Sequence, residues 1–452
     1  LSGLVGSEMC IRDSYLIILK INGLAGWMGA DWLLKIKNSK SSAPSWRATS
    51  KEKRLAKDAS ADGLRGLAAV SVAISHSILA FFPAAFTHYF PWVAGPEAIY
   101  GRVEHVLATP GLSVLWSGSF AVSIFFVLSG YVLTKSWGEK QDLAVARSLA
   151  ARRYFRLAGP VLGSALFAFS LMSLGLYYSP DVAKITSSAW LKGMWNVTPN
   201  FFEAVREGLF GAIFRGEVSY NPVFWTMRIE FIGSLLILAY RCLTSSRGSQ
   251  IVGATIYLIL TASIAPGEWI AYLAFLLGTH LNDMPTVKRR SVLYALGLTG
   301  LYLGGADGSR LYAWLGYIPI EALTRNWLAG VLGATMLVYA VKAGAASSIL
   351  RSRPVQFLGR ISYSLYLVHL PIILSVACGS YLWLVVGGGL GRVAAGALAF
   401  SIAFPTTVAV AFIFTRMVDE PCIRLAKRLF PSGTVGSKLA GAKPAKELAP
   451  HI

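Results

Sequence analysis

Apolar residues in this chain run in blocks, with neither the strict alternation of strands nor the one-sided stripe of soluble helices. A helix that crosses a bilayer needs about 20 mostly apolar residues. Blocks of that kind lie near 64–82, 114–134, 157–178, 223–240, 251–266, 269–281, 291–304, 326–342, 361–384 and 391–415. The pattern predicts an all-α, polytopic transmembrane helix bundle of about ten spans. The blocks 251–266 and 269–281 are short and meet around Gly267 and Glu268, so they are also compatible with one re-entrant hairpin, which leaves eight spans.

Composition supports the same class. Only 14% of the 452 residues are charged, against about 25% in soluble domains, and 55% are hydrophobic. There are 44 Gly and 13 Trp, as expected for close helix packing and interfacial anchoring. Cys10, Cys242, Cys378 and Cys422 make no paired motif, and neither a disulfide framework nor a metal site is expected.

The net charge of +20 would suggest nucleic acid in a soluble chain. Its distribution points elsewhere. With a cytoplasmic N-terminus, the inside segments hold 33 of the 42 Lys and Arg, the outside segments hold 8, and Arg228 lies within a span. That asymmetry predicts that both termini are cytoplasmic and that the partner of the basic residues is the lipid bilayer, not nucleic acid. Which membrane is not specified.

Three segments follow from this. Residues 1–60 combine an unreliable start with a basic, Ser-rich cytoplasmic tail, because 4–14 read like translated adapter sequence and Lys20 and Asp31 interrupt the apolar run after them. Residues 61–422 form the membrane domain. Residues 423–452 read as a disordered basic C-terminal tail.

Ionisable groups inside apolar blocks are costly, so each asks for a reason. Arg65 and His76 are eleven residues apart, about three helical turns, and share a face separated by roughly 16 Å. Arg65 falls at the cytoplasmic mouth and His76 deep in the span, either as packing glue or as a functional group. Arg228 and Glu230 lie two apart and point to different faces, so each needs its own partner. Ser362, Tyr366 and His369 make one polar stripe ahead of Pro371, which should free a carbonyl. Arg153 and Arg156 share a face at the cytoplasmic boundary, suited to phosphate or to topological anchoring.

Together these stretches resemble the acyltransferase-3 family of integral membrane O-acyltransferases. The resemblance rests on Asp62-Gly-Leu-Arg65 with His76, Phe-Phe-Val-Leu-Ser129-Gly-Tyr, Arg152-Arg153-Tyr-Phe-Arg156, Trp225-Thr-Met-Arg228-Ile-Glu230, Ser362-Tyr-Ser-Leu-Tyr366-Leu-Val-His369, and Glu420-Pro421. It covers about 60–422. The family is similar in having about ten spans and an Arg-x10-His pattern. It implies transfer of an acyl group, typically acetyl, from cytoplasmic acyl-CoA to a hydroxyl of a carbohydrate, lipid or small molecule. Acyl-CoA is then a co-substrate, and no bound cofactor is expected.

The residues suit that chemistry. Attack by a hydroxyl needs a base, and His is suited to it near neutral pH. His76 is the expected base, with Glu230 orienting the imidazole or the acceptor. Arg65, Arg153 and Arg156 are expected to bind the donor phosphates. Asp62, Ser129, Trp225, Arg228, Ser362, Tyr366 and His369 complete the candidate substrate site, with Arg228 or Tyr366 as candidate oxyanion donor. The outside aromatics Trp92, Trp190 and Trp195 suit sugar stacking or the membrane interface. The same intramembrane charges also fit a proton-coupled secondary transporter, which would show counterflow without an acyl donor.

Overall fold

The computed structural model describes residues 58–138, 143–194 and 197–431. The readings for 1–57, for Trp195 and for 432–452 lie outside these residues. Each of the ten apolar blocks falls in a helix: α1 (Ala59–Phe81), α2 (Gly118–Gly138), α3 (Leu143–Ser173), α4 (Trp225–Leu243), α5 (Arg247–Ile264), α6 (Trp269–His280), α7 (Arg290–Gly304), α8 (Ala322–Lys342), α9 (Arg353–Ile372) and α10 (Arg392–Phe414). A π turn, Thr415–Asp419, carries α10 into α11 (Glu420–Leu429). Among the described residues the only β pairing is an isolated bridge between Ala94 and Ser188.

Among the described residues, six helical segments are long and apolar enough to cross a membrane: α1, α2, α3, α4 with the turn before it, α9 with its extension to Gly387, and α10 with α11. α6 is apolar but shorter. The α5–α6 pair forms a hairpin fastened by the Tyr257 hydroxyl, which donates to the Tyr272 carbonyl at 3.0 Å.

α1 begins where its sequence supplies a cap. Asp58 accepts from the Ala61 amide at 3.2 Å, satisfying one of the free N–H groups of the first turn. Its other oxygen takes the Tyr131 hydroxyl at 2.8 Å and the Lys135 ammonium at 3.1 Å, tying α1 to α2.

α1 and α9 cross at near contact of their backbones. A methyl group on Gly66 would strike the backbone of Leu358 and Gly359, and one on Gly359 would strike the carbonyl of Asp62. Only glycine permits this approach. Farther along α9, Pro371 cannot donate to the carbonyl of Leu367, as the sequence leads one to expect. That carbonyl is taken up by Ser164 at 2.8 Å and by Asn221 at 2.7 Å, so the break joins α9 to α3 and to the turn before α4.

The C-terminal boundary differs from expectation. Residues 423–429 belong to α11 and are not a disordered tail. Ile423 and Ala426 face the bundle, and the carbonyl of Phe430 accepts from Ser148 at 2.8 Å and from Arg152 at 2.6 Å. The helix is amphipathic, and α3 supplies the apolar and hydrogen-bonding partners that a free tail would lack.

Two outcomes are expected. Gly66→Ala gains about 1 kcal/mol of helix propensity, but overpacking against backbone costs about 1–3 kcal/mol. Since backbone cannot rotate aside, the melting midpoint of detergent-purified protein should fall; an increase would contradict the close crossing. The second concerns Asp58. Burial raises its pKa, but the bonds from Tyr131, Ala61 and Lys135 outweigh this and leave it below its ordinary 3.8. The stabilisation is therefore complete above the unfolded value and is lost as pH falls through the lower folded value. Asp58→Asn should lower the midpoint at neutral pH and narrow its gap to wild type under acid conditions. A pH-independent gap would contradict the ion pair.

Candidate active site

The crossing of α1 and α9 brings His76 and His369 together. His76 Nδ1 lies 2.8 Å from His369 Nε2, with the rings nearly parallel and their centroids 5.1 Å apart. His369 is fully buried, and its Nδ1 faces the carbonyls of Tyr366 at 2.7 Å and Leu365 at 3.2 Å. A nitrogen between two acceptors must carry the hydrogen, so in the neutral ring Nε2 holds the lone pair. His76 then donates from Nδ1, and its own Nε2 is left unprotonated. Among the described residues that nitrogen has no hydrogen-bond partner. A base needs this arrangement: one ring nitrogen fixed, the other open.

His76 lines a cavity of about 250 Å³, built from the end of α1, the start of α2 and the long segments before α2 and α4. Trp190 covers it, its ring within 9° of parallel to His76 and 5.3 Å away between centroids. The short turn Ala189–Lys192 that carries Trp190 is capped by Ser188, whose hydroxyl donates to the Leu79 carbonyl of α1 at 2.8 Å. Trp225 lines the same cavity and packs edge-on to Trp327, 6.0 Å away.

A second cavity, of about 310 Å³, lies toward the opposite end of α1. Five cationic side chains, Arg65, Arg152, Arg153, Arg156 and Lys427, line it against one carboxylate, Glu230. Arg153 is buried and pairs with Glu230 at 3.3 Å, and its Nε has no protein acceptor. Glu230 also accepts from Ser129 at 2.8 Å. An open guanidinium donor in a net cationic chamber suits an anionic or carbonyl-bearing ligand. Ser362 lines this chamber, its hydroxyl donating to the Gly359 carbonyl at 3.0 Å. Asp62 stands outside the lining and pairs with Arg65 at 3.4 Å.

Tyr366 and Val122 are the residues common to both linings. The Tyr366 hydroxyl is 3.0 Å from Thr226 Oγ1, and both hydroxyls reach the Val223 carbonyl, Thr226 at 2.9 Å and Tyr366 at 3.5 Å. Phe125 meets the Tyr366 ring edge-on at 5.6 Å. The two cavities therefore meet at Val122 and at Tyr366, whose ring and hydroxyl are held by Phe125 and Thr226.

Two expectations change. Glu230 does not orient His76, because it lines the cationic chamber with Ser129 and Arg153, and His369 occupies the orienting position. Arg228 lines neither cavity; it is paired with Glu268 ahead of α6, which accounts for its cost in the span as structure. Arg228 and Glu230 have the separate partners expected of them, Glu268 and Arg153.

Several site residues escaped the sequence reading. Thr226 sat unremarked between Trp225 and Arg228. Lys427 lay in the presumed tail, although the apolar–basic periodicity of 420–429 signals a helix. Nothing in the local pattern marks Trp327.

A family model described as an acyltransferase domain matches residues 58–416. The chain is 24% identical over 394 residues to the acyltransferase clz18 of Cochliobolus lunatus, covering 72% of this chain and 84% of that protein. It is 25% identical over 446 residues to the O-acetyltransferase PaAT-1 of Phomopsis amygdali, covering 85% and 87%. No solved structure matches it. With the family model spanning most of the chain, and with the histidine pair and the four arginines of the chamber inside that span, the chain belongs to the acyltransferase-3 family.

Proposed function

We propose that this protein is a multi-pass membrane O-acyltransferase that takes an acyl group, typically acetyl, from cytoplasmic acyl-CoA and passes it to a hydroxyl acceptor entering from the opposite face. The observation that carries this reading is the histidine pair, with its tautomer fixed and one nitrogen open into a cavity. Ten spans with both termini cytoplasmic belong to the same reading, supported by the basic asymmetry of the loops. The arginine chamber is then on the cytoplasmic side and the His76 cavity on the other.

In this mechanism Arg65, Arg153 and Arg156 hold the donor phosphates. The thioester end of the donor reaches His76 past Tyr366, whose side chain must swing from Thr226 for it to pass. His76 Nε2 takes the proton of the acceptor hydroxyl as its oxygen attacks the thioester carbonyl. The C–O bond forms, the C–S bond breaks, and the proton passes from His76 to the departing thiolate. His369 stabilises the transient imidazolium by accepting from Nδ1. The role of Glu230 is to hold Arg153 within the chamber.

His76→Gln should insert, bind coenzyme A and lose about 10²–10⁴ in turnover, the usual cost of a positioned base. Turnover and donor affinity measured on the same purified protein test this, and near-wild-type turnover would remove His76 as the base. Counterflow of an acceptor in proteoliposomes without any acyl donor would favour a transporter instead.

Replacing Arg153 and Arg156 with Gln should weaken coenzyme A binding at least tenfold while leaving His76 chemistry competent at saturating donor. KM for the donor should therefore rise more than kcat falls. Unchanged donor affinity would reduce the pair to a membrane anchor.

A further inference from the structure

We infer that Arg152 and Lys427 form a second anion site at the rim of the arginine chamber, which takes the phosphate monoester on the ribose of the donor nucleotide. This deepens the acyl-transfer reading and rests on it for the siting of the donor in the chamber. It also gives α11, which lies past the residues matched by the family model, a part in choosing the donor.

The first observation is how the charges of the chamber are balanced. Arg65 has Asp62 at 3.4 Å, and Arg153 has Glu230 at 3.3 Å. Among the described residues, Arg152 and Lys427 line the chamber with no carboxylate within ion-pair distance. Their charge is left for an anion from outside the chain.

The second is how Arg152 is held. Its Nε donates to the Phe430 carbonyl at 2.6 Å, and Ser148 donates to the same oxygen at 2.8 Å. The Phe430 ring packs on Phe155 with centroids 5.5 Å apart. One donor of the guanidinium is thus used to fix its position. Among the described residues no acceptor meets its terminal amino groups, so their hydrogens stay available. Lys427 lies three residues before Phe430, so the contact that fixes Arg152 also brings the Lys427 turn beside it. A rigid fork and an adaptable ammonium together suit a phosphate.

The third is length. Arg65 and His76 are separated by roughly 16 Å along α1. A pantetheine arm is about as long as four extended residues, roughly 15 Å by the usual reach of extended chain. With the thioester at His76, the arm therefore ends near Arg65, where the pyrophosphate meets Arg153 and Arg156. The nucleotide, with its own ribose phosphate, continues outward from there. Arg153 is buried and Lys427 is exposed, so the outward direction leads to α11.

Coenzyme A and 3′-dephospho-coenzyme A differ in that phosphate alone. Their binding to purified full-length protein in phosphatidylcholine nanodiscs is measured by isothermal titration calorimetry, with no acyl group or acceptor present. Wild type should bind coenzyme A about tenfold more tightly than the dephospho form, the usual worth of a hydrogen bond to a charged group. Lys427→Gln should remove most of that preference by weakening coenzyme A alone, and Lys427→Arg should restore much of it. Arg152→Gln should do as Lys427→Gln does; if it weakened both ligands alike, Arg152 would only anchor Phe430 and the two-residue site would be overturned. Equal affinity of wild type for the two ligands, the result expected if Lys427 meets only lipid headgroups or solvent, overturns the proposal even if the protein acylates. So does a preference that Lys427→Gln leaves intact. Binding of neither ligand overturns it together with the donor reading. A Lys427-dependent preference without coenzyme-A-dependent transfer would instead overturn the acyltransferase mechanism and leave this site standing.

Discussion

The near contact of α1 and α9 is the constraint on which the rest of the site depends. Gly66 and Gly359 remove the side chains that would hold the two backbones apart. A His–His hydrogen bond tolerates only a few tenths of an ångström of separation. Two helices spaced by ordinary side chains sit about 8–10 Å apart, and at the wider end their short imidazoles would each need another partner. The glycines near the start of α1 thus set the distance between groups several turns away.

The bundle also keeps two solvents apart within one protein. Toward one end of α1 a chamber of guanidinium groups favours anions; toward the other, an uncharged aromatic cavity disfavours them. In the proposed reaction an anionic donor would meet the cationic chamber, and its phosphates would find no counter-charge in the other cavity. Tyr366 is suited to stand between them because it is amphipathic. Its ring packs on Phe125, and its hydroxyl finds Thr226 within the membrane.

Much of this was legible in the chain. Apolar blocks located α1–α10, and among the described residues six helical segments are long and apolar enough to cross a membrane. The face shared by Arg65 and His76, the stripe of Ser362, Tyr366 and His369, and the carbonyl freed by Pro371 follow from helical spacing and are found as expected. What spacing cannot give is the partner across a helix crossing. Glu230 looked available to His76 because both are ionisable and lie in apolar blocks, yet His76 meets His369 and Glu230 meets Arg153. The helical character of 420–429 was missed for a related reason. Its low hydropathy sets it apart from the spans despite its helical periodicity, and hydrogen bonds that end on Phe430, far in sequence from their donors on α3, fasten it.

The polarity of the histidine pair is set by a main-chain atom. The carbonyl of Tyr366 fixes the hydrogen on His369, and through it the hydrogen on His76. No side-chain replacement at position 366 deletes that oxygen, so the residue holds two separable kinds of information. Its side chain is open to mutational drift, while its contribution to the tautomer is inherited with the helix itself. A substitution scan would score only the first. An insertion or deletion of one residue between Gly359 and Tyr366, by turning the rest of the helix about 100°, would carry His369 away from His76 and leave the carbonyl of Tyr366 in place on His369 Nδ1.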